Sequence, residues 1–197
     1  QRQMCIRDSI YIWTGTATQY KVNLLRKFFE QYKQDPSDLV FFLDDSKGIG
    51  SDEEIERYKI RRKYWESVLP SLQEATGTFL NISPSKNNSI MGATARSGVY
   101  LCCVANYDSA RVEIFIDQGD YQKNRAIYKR LEQNRDAIEV AYGKSLNWVC
   151  QDDVRACKVY DEIKEVSIKN EEDWPVMSAF HIQRAKALLV ATKQFLA

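Results

Sequence analysis

Acidic and basic side chains alternate with apolar ones along the segment Ala110–Asp117. If this segment is a β-strand, Arg111, Glu113 and Asp117 share one face, and apolar residues occupy the other. Such a face could hold a phosphate through Arg111, or a metal ion through Glu113 and Asp117. The alternative, which we favour, is the solvated face of a half-buried antiparallel sheet that carries a local ion pair.

A second polar segment, NISPSKNN at residues 81–88, could contact phosphate. It offers the amide of Asn81, the hydroxyls of Ser83 and Ser85, and the ammonium group of Lys86. Groups of these types position a nucleic-acid backbone without distinguishing one base from another. The alternative is a plain turn, in which Pro84 and the asparagines serve backbone geometry alone. The residue types leave both interpretations open.

Asp153, Glu162 and Lys164 match the Asp…Glu-x-Lys pattern of metal-dependent nucleases. In that pattern two carboxylates hold the metal ion, and the lysine steadies the attacking water. The pattern is short, and chance matches are common in a chain of which 28% of the residues are charged. We therefore expect a non-catalytic protein without a cofactor, and Mg²⁺ is expected only if the nuclease alternative holds.

The densest basic run of the chain includes Arg61 and Lys63 and lies next to Trp65. Interleaved basic and aromatic side chains can bind nucleic acid. However, glutamates interrupt the run, and Trp65 falls on an apolar helical stripe that also contains Arg62. We therefore expect Trp65 in the core, with Arg62 either extended to solvent or paired with a buried carboxylate such as Glu113.

The composition limits the classes of function. The 28 Lys and Arg residues nearly balance the 27 Asp and Glu residues, so phosphate binding requires a local patch. The five cysteines form no C-x-x-C pair and there is a single histidine, which excludes a zinc site of ordinary spacing. We expect reduced thiols in a cytoplasmic protein. No apolar run is long enough to span a bilayer and no signal peptide is visible, so no membrane partner is expected.

The elements that must position these residues follow from hydrophobic periodicity and turn signals. They predict an α+β fold with a mainly antiparallel sheet of about five to six strands, a helix after the central hairpin and a long C-terminal helix. The predicted strands are 78–83, 89–96, 99–106, 110–117, 146–150 and 156–163, with a short continuation at 166–168. The predicted helices are 51–76, 118–142 and a last one that begins after Asn170 and ends near Leu196.

Composition also predicts how the chain is divided. Residues 1–9, QRQMCIRDS, resemble the translated remnant of a sequencing adapter and are expected to be an artefact. Residues 10–50 are expected to be the remnant of an upstream region and a linker, and residues 51–197 to form one domain. We therefore expect the chain to be the C-terminal part of a longer protein.

An ordered series of short motifs extends over the last two thirds of the chain: Lys63-Tyr64-Trp65, NISPSK at 81–86, Gly98, ARVE at 110–113, Ile116-Asp117, Gly119-Asp120, Asn124, Ile138-Glu139, Gly143, LNW at 146–148, RAC at 155–157 and EEDW at 171–174. In this series, residues from about 61 to 197 resemble a bacterial and archaeal family of domains of unknown function. That family commonly lies C-terminal to endonuclease-like domains. Its typical aromatic residue after the NISPSKNN turn is replaced here by Ser89-Ile90, which puts a stacking role at that place in doubt.

The resemblance implies a nuclease or defence setting. The expected function is a non-catalytic accessory domain that contacts DNA, or the companion nuclease domain, through the sheet face and the NISPSK turn. One alternative is a divergent metal-dependent endonuclease that uses Glu113 and Asp117, or Asp153, Glu162 and Lys164. Another is a protein–protein interaction module.

Overall fold

The structure is a computed structural model that describes residues 52–196. Ile55–Ala197 form one compact unit, which carries nearly all of the fold described below. The expectations for residues 1–50, the helix start at Ser51 and the last residue lie outside the described residues.

The described residues combine four α-helices with five β-strands. In chain order these are α1 (Asp52–Thr76), β1 (Ser89–Ala93), β2 (Val99–Ala105), β3 (Ser109–Ile116), α2 (Tyr121–Glu132), α3 (Arg135–Tyr142), β4 (Asn147–Val149), β5 (Cys157–Lys164), a 3₁₀ turn (Glu171–Asp173) and α4 (Trp174–Leu196). The strands form one sheet in the order β1-β2-β3-β5-β4, and every neighbouring pair is antiparallel. The α+β prediction, with a helix after the central hairpin and a long C-terminal helix, is confirmed.

The two faces of the sheet differ in what they contact. Alternate residues such as Leu101, Ile114 and Val159 belong to one buried hydrophobic cluster, which also contains residues from all four helices. The opposite face, called the outer face below, carries Arg111 and Glu113 on β3 and their cross-strand neighbours. Strand alternation thus places the core residues on one face as the sequence predicts. The outer face is not fully solvated, because Cys102, Val104 and Glu113 are also buried. Among residues 52–196, no helix has both the length and the apolar character needed to cross a membrane.

Two predicted strand segments are wrong, for the same backbone reason. Residues 78–83 form a turn in which Phe79 and Asn81 have φ angles of 60° and 63°, and Glu165 has φ 61° immediately after β5. A left-handed residue cannot continue a ladder, so the β5 pairing ends before 166–168. Phe79 lies in this turn, and its side chain is buried in the core. A buried apolar residue is typical of a strand, which is why the sequence predicts a strand at 78–83.

The predicted helix 118–142 is two helices. At the junction Asn134 leaves the helical region (φ −110°, ψ 20°), and its amide donates to the carbonyl of Arg130. An asparagine side chain that bonds to nearby backbone offers an alternative to the helical ladder. The predicted end of this helical region at Tyr142 is correct, because Gly143 caps α3 in the left-handed conformation.

The buried face of α1 differs from the predicted stripe. Its largest buried side chains include Tyr64, Trp65 and Leu72, which confirms that Trp65 lies in the core. Arg62 is exposed instead, and its Nε donates to Glu66 Oε1 at 3.1 Å. Of the two alternatives for Arg62, extension to solvent is confirmed and pairing with Glu113 is wrong.

The expectation of reduced thiols is wrong for one pair. Cys150 and Cys157 form a disulfide with a Cα–Cα distance of 4.4 Å, whereas Cys102 and Cys103 are free and buried. The register explains the pairing, because Val149 lies opposite Lys158 and the next positions in that register are the two cysteines. Only the fold brings them into contact.

Candidate nucleic-acid interface

Six basic and aromatic residues meet at the end of the sheet that carries the β2–β3 turn. They come from α1, from the 81–88 loop, from that turn and from the segment after β5. Arg61 and Lys86 are joined directly, since Arg61 Nη1 donates to the Lys86 carbonyl at 3.4 Å. We call this set the basic–aromatic cluster: Arg57, Tyr58, Arg61, Lys86, Tyr107 and Lys169.

Two tyrosine rings organise the cations of the cluster. Each ring is approached by two positive groups, an arrangement in which the ring quadrupole attracts the cations and limits where they lie. Four positive charges from distant parts of the chain are thus held near two aromatic rings. The distances to the ring centroids are 5.3 Å for Arg57 and 4.8 Å for Lys86 at Tyr58, and 5.7 Å for Arg61 and 4.5 Å for Lys169 at Tyr107.

Three cations of the cluster have no carboxylate close to them among the described residues. Within the part of the chain that the structure describes, no carboxylate lies within ion-pair distance of Arg61, Lys86 or Lys169. Asp108 and Glu165 occur in adjoining segments. Lys86, Tyr107 and Lys169 are exposed, and a polyanion could reach them.

Lys63, which the sequence grouped with Arg61, differs from it because a carboxylate is paired with its charge. Its ammonium group lies 2.7 Å from Glu171 Oε1 and 5.5 Å from the centre of the Trp174 ring. The pair is exposed, so its contribution to stability is small. The carboxylate nevertheless offsets the charge of Lys63, which sets Lys63 apart from Arg61 and Lys86.

The 81–88 loop is fixed by contacts at its C-terminal half. Trp65 Nε1 donates to the Asn87 carbonyl at 2.9 Å, and Asn88 Nδ2 donates to Asn106 Oδ1 at 3.0 Å. Ser85 Oγ accepts from the Asn87 N–H inside the turn at 3.2 Å. The asparagines and Ser85 therefore shape the loop, and the loop presents Lys86 to solvent.

The remaining two polar residues of that loop lie apart from these contacts. Asn81 has a left-handed backbone (φ 63°) and is exposed, as is Ser83. The left-handed region suits asparagine better than most residues. The structure gives Asn81 a conformational role and places neither residue in the basic–aromatic cluster.

Arg111 and Glu113 form an ion pair on the outer face. Arg111 Nε lies 2.8 Å from Glu113 Oε2, and the guanidinium stacks 5.2 Å from the centre of the Tyr160 ring. The geometry of this Arg111–Glu113 contact is not that of a hydrogen bond. Among the described residues, Arg111 Nε and Glu113 Oε2 both lack a hydrogen-bond partner. The charge of Arg111 is directed at Glu113 and Tyr160, so the expected local ion pair is present. Glu113 is buried, however, and the expectation of a solvated face is wrong at this position.

Asp117 holds a loop in place. Its carboxylate accepts from Arg155 Nε at 2.9 Å and from Arg155 Nη2 at 2.7 Å, and also from the Gly119 N–H at 2.9 Å. The hydrogen bonds from Arg155 and then from Gly119 lower the pKa of Asp117 below its usual value. Both oxygens are thus used to connect the end of β3 to the loop before β5.

The third set of predicted residues is spread along β5. Asp153 lies in the loop before the strand, whereas Glu162 pairs opposite Arg111 and Lys164 opposite Ser109. Cys157, where β5 begins, and Glu162 are separated by about 17 Å at the strand rise. The structure does not bring these three residues together. Nor do any three His, Cys, Asp or Glu side chains of residues 52–196 form a group that could hold a metal ion.

A buried acidic site was missed by sequence reasoning. Asp161 is 2% exposed; Tyr142 donates to its Oδ2 at 2.5 Å, and Lys144 Nζ lies 2.7 Å from Oδ1. Burial, followed by the hydrogen bond to Asp161, raises the pKa of Tyr142. The signal was present in the strand pattern, because Asp161 alternates with Cys157, Val159 and Ile163.

His181 was also missed as a buried residue. Its Nδ1 lies 2.7 Å from the Tyr64 hydroxyl and its Nε2 lies 3.1 Å from the Val104 carbonyl. A carbonyl only accepts, so Nε2 carries the proton and Nδ1 accepts from Tyr64. Burial lowers the pKa of His181 to about 4. The neutral imidazole links α1, α4 and β2.

The comparisons with known proteins agree with the extent of the fold. No curated protein and no solved structure matches the chain. One family model matches residues 60–196, and its description is domain of unknown function (DUF4268). Because the match includes α1 from its third turn onward and every strand of the sheet, the chain belongs to the DUF4268 family.

Proposed function

We propose that the domain is a non-catalytic accessory domain that binds DNA for a nuclease-type or defence-associated protein. The observation that supports this is the basic–aromatic cluster, in which four cations and two tyrosines come from four separate segments. The companion nuclease domain belongs to the proposal, and it rests on the family resemblance alone.

The cluster suits a phosphate backbone better than a single small anion. Its cations are divided between two tyrosine rings, two at each ring. Cationic side chains bind nucleic acid mainly by releasing counterions from phosphates, which gives affinity without sequence preference. Tyr107, which is 38% exposed, adds an aromatic group beside those contacts.

The positions of the carboxylates favour a non-catalytic role. Asp117 is held by Arg155, and Glu113 is paired with Arg111. Asp153 lies in the loop before β5, whereas Glu162 lies within that strand. A two-carboxylate metal site needs ligands that reach one ion, and these pairs do not supply it in this arrangement.

The protein-interaction alternative has less support. On α4, Val176 and Val190 are 58% and 65% exposed, but along the helix they are about 21 Å apart. Lys186 lies between them and is exposed. Single exposed valines are ordinary on a protein surface and do not define a docking patch.

The test is DNA binding by the full chain, measured as the anisotropy of a short fluorescein-labelled duplex from about 50 to 200 mM salt. We expect Lys86→Gln and Arg61→Gln each to weaken binding roughly three- to tenfold and to reduce the slope of log K against log salt by about one. The matched control is Lys63→Gln, which changes net charge equally but removes a cation already paired with Glu171. It should change the affinity less than about twofold.

Two outcomes would contradict the proposal. Equal effects of all three substitutions would show that only net charge matters and that the cluster is not the binding site. Cleavage of the duplex with Mg²⁺, lost in Glu113→Gln or Glu162→Gln, would make the protein an enzyme. The same samples, analysed on a gel with and without Mg²⁺, give this second readout.

A further inference from the structure

The Cys150–Cys157 pair lies where two strands of a hairpin separate. β4 and β5 pair from Asn147 opposite Tyr160 to Val149 opposite Lys158, and the two cysteines follow in the same register. Their Cα atoms are 4.4 Å apart, and the disulfide closes the loop 151–156. The strands hold the two residues opposite each other whether or not the sulfurs are bonded.

A guanidinium group faces both sulfurs. Arg125 Nη1 lies 3.1 Å from Cys150 Sγ and 3.2 Å from Cys157 Sγ, and Nη2 donates to the Gln151 carbonyl. The Arg125 side chain is only 14% exposed and stacks 3.7 Å from the centre of the Tyr121 ring. These contacts make Arg125 a fixed positive charge beside the cysteine pair.

One carboxylate faces the same guanidinium. Asp152 Oδ1 lies 3.7 Å from Arg125 Nη2, but the Asp152 side chain is fully exposed. Solvent screens such a contact strongly. The charge of Arg125 therefore acts mainly on the nearer sulfurs, with which it shares a partly buried site.

We propose that Cys150 and Cys157 are a reversible thiol–disulfide modification site whose substrates are low-molecular-weight disulfides of the glutathione type. A cation beside a cysteine favours the thiolate, which is the nucleophile in thiol–disulfide exchange. Arg125 supplies that cation to both residues. The proposal is independent of DNA binding.

The exchange balances without any further reactant. The thiolate of Cys150, which is partly exposed, attacks one sulfur of the external disulfide, forms a mixed disulfide and releases the first thiolate. The buried Cys157 thiolate then attacks Cys150 Sγ, closes the internal disulfide and releases the second thiolate. The two protons lost by the cysteines protonate the released thiolates, so one disulfide is reduced to two thiols as the protein dithiol is oxidised.

Oxidation would stiffen one wall of a surface cavity. The loop 151–156 and the outer-face residues Phe115, Lys158 and Tyr160 line a cavity of about 320 Å³. The loop is also held by Tyr121, whose hydroxyl donates to the Asp152 carbonyl at 2.8 Å, and by the contacts of Asp117 with Arg155. The loop therefore stays attached in the reduced state, and the modification changes its stiffness without unfolding the domain.

The test begins with the full chain reduced and then equilibrated with mixtures of reduced and oxidised glutathione. Free thiols are alkylated and each cysteine is quantified by peptide mass spectrometry. We expect Cys150 and Cys157 to become protected together as oxidised glutathione increases, while Cys102 and Cys103 change little, because both are buried. Persistence of Cys150 and Cys157 as thiols in pure oxidised glutathione would overturn the proposal.

The role of Arg125 is tested by the rate at which iodoacetamide alkylates Cys150 in the reduced protein at pH 7. Arg125→Gln should slow the reaction roughly fivefold or more, because the thiolate fraction falls. Arg125→Lys should recover part of the rate, and Lys129→Gln, an exposed cation on the same helix, should leave it unchanged. If Arg125 served only to hold the loop, its loss would expose Cys150 and speed alkylation, which would refute the electrostatic role.

Discussion

At the scale of single residues, His181 makes the stability of the domain depend on pH. An unfolded histidine takes up a proton near pH 6.5, whereas burial holds the pKa of His181 at about 4 in the folded state. Between these values the unfolded chain binds more protons than the folded one. The free energy of unfolding should therefore fall as the pH falls from 6.5 to 4, by up to about 3 kcal/mol.

Urea unfolding of the wild type and of His181→Gln at several pH values measures this effect. The variant should lack the part of the pH dependence that arises from the histidine, because it removes the only histidine of the chain. The pKa values of Asp117 and Glu139 are both lowered, Asp117 chiefly by Arg155 and Glu139 chiefly by the Leu146 N–H. Their contributions begin to be lost as the pH falls toward the ordinary carboxyl pKa values of 3.8 and 4.5, so the difference between wild type and variant, and not either profile alone, isolates His181. Identical pH profiles for wild type and variant would contradict the role of His181.

At the scale of elements, two glycines allow a direct test of packing at the turn before β2. Gly98 and Gly119 both have positive φ angles, 73° and 78°. A Cβ at Gly98 would lie 2.4 Å from Gln118 Cγ and 2.9 Å from Gln118 Cα, whereas a Cβ at Gly119 would meet nothing within 4 Å. Alanine at either position incurs the left-handed strain, but only Gly98→Ala adds a clash with backbone.

We expect Gly119→Ala to cost about 1 kcal/mol of unfolding free energy and Gly98→Ala clearly more, on the order of 3 kcal/mol. Chemical denaturation of both variants gives the comparison, and the difference between them isolates the contact with Gln118. Equal losses would mean that the hairpin end shifts freely and that Gly98 is needed only for its φ angle.

The elements differ in how well the sequence predicts them. β2 and β3 were predicted within one residue at each end because alternation and turn residues agree there. The turn at 78–83 was not predicted. Phe79 has a left-handed backbone there, but as an apolar residue it looks in the sequence like part of a strand. The break at Asn134 was missed because the apolar helical pattern continues across it from Leu131 to Ile138. Local patterns describe hydrophobicity, whereas side-chain bonds to backbone decide where an element ends.

In the candidate interface, too, the sequence predicts the residues that have local signals and misses those that the fold brings together. The sequence identified Arg61 and Lys86 because both lie in runs with polar or aromatic neighbours. It missed Tyr107 and Lys169, which stand alone in their segments and join the cluster only because the β2–β3 turn and the segment after β5 meet. It grouped Lys63 with Arg61, since Glu171 is more than a hundred residues away in the chain.

At the scale of the whole molecule, the two proposed sites lie at opposite ends of β3. The basic–aromatic cluster adjoins the turn before Ser109, whereas Asp117 connects the other end to the disulfide-closed loop. The strand separates them by about 24 Å, more than twice the Debye length at physiological salt. We therefore expect oxidised and reduced protein to bind DNA with affinities equal within about twofold.

Anisotropy titrations of the same duplex, with protein pretreated with either reduced or oxidised glutathione, measure this independence. Cys150→Ser combined with Cys157→Ser provides the form that cannot close the loop. An affinity change of tenfold between the two redox forms, absent in the double variant, would contradict independence and would show that the sheet transmits the state of the loop.

The strand order β1-β2-β3-β5-β4 also constrains how the domain folds. β1, β2 and β3 are consecutive and joined by short turns, so the meander can form from local contacts. β5 must then insert between β3 and β4, after α2 and α3 have been synthesised. When β5 pairs with β3, the contact between Ile116 and Cys157 closes a long loop. During synthesis β3 therefore remains an open edge until β5 emerges from the ribosome. In that interval the nascent chain has an unpaired strand of mainly apolar residues, a surface that a chaperone recognises and that a second nascent copy could pair with.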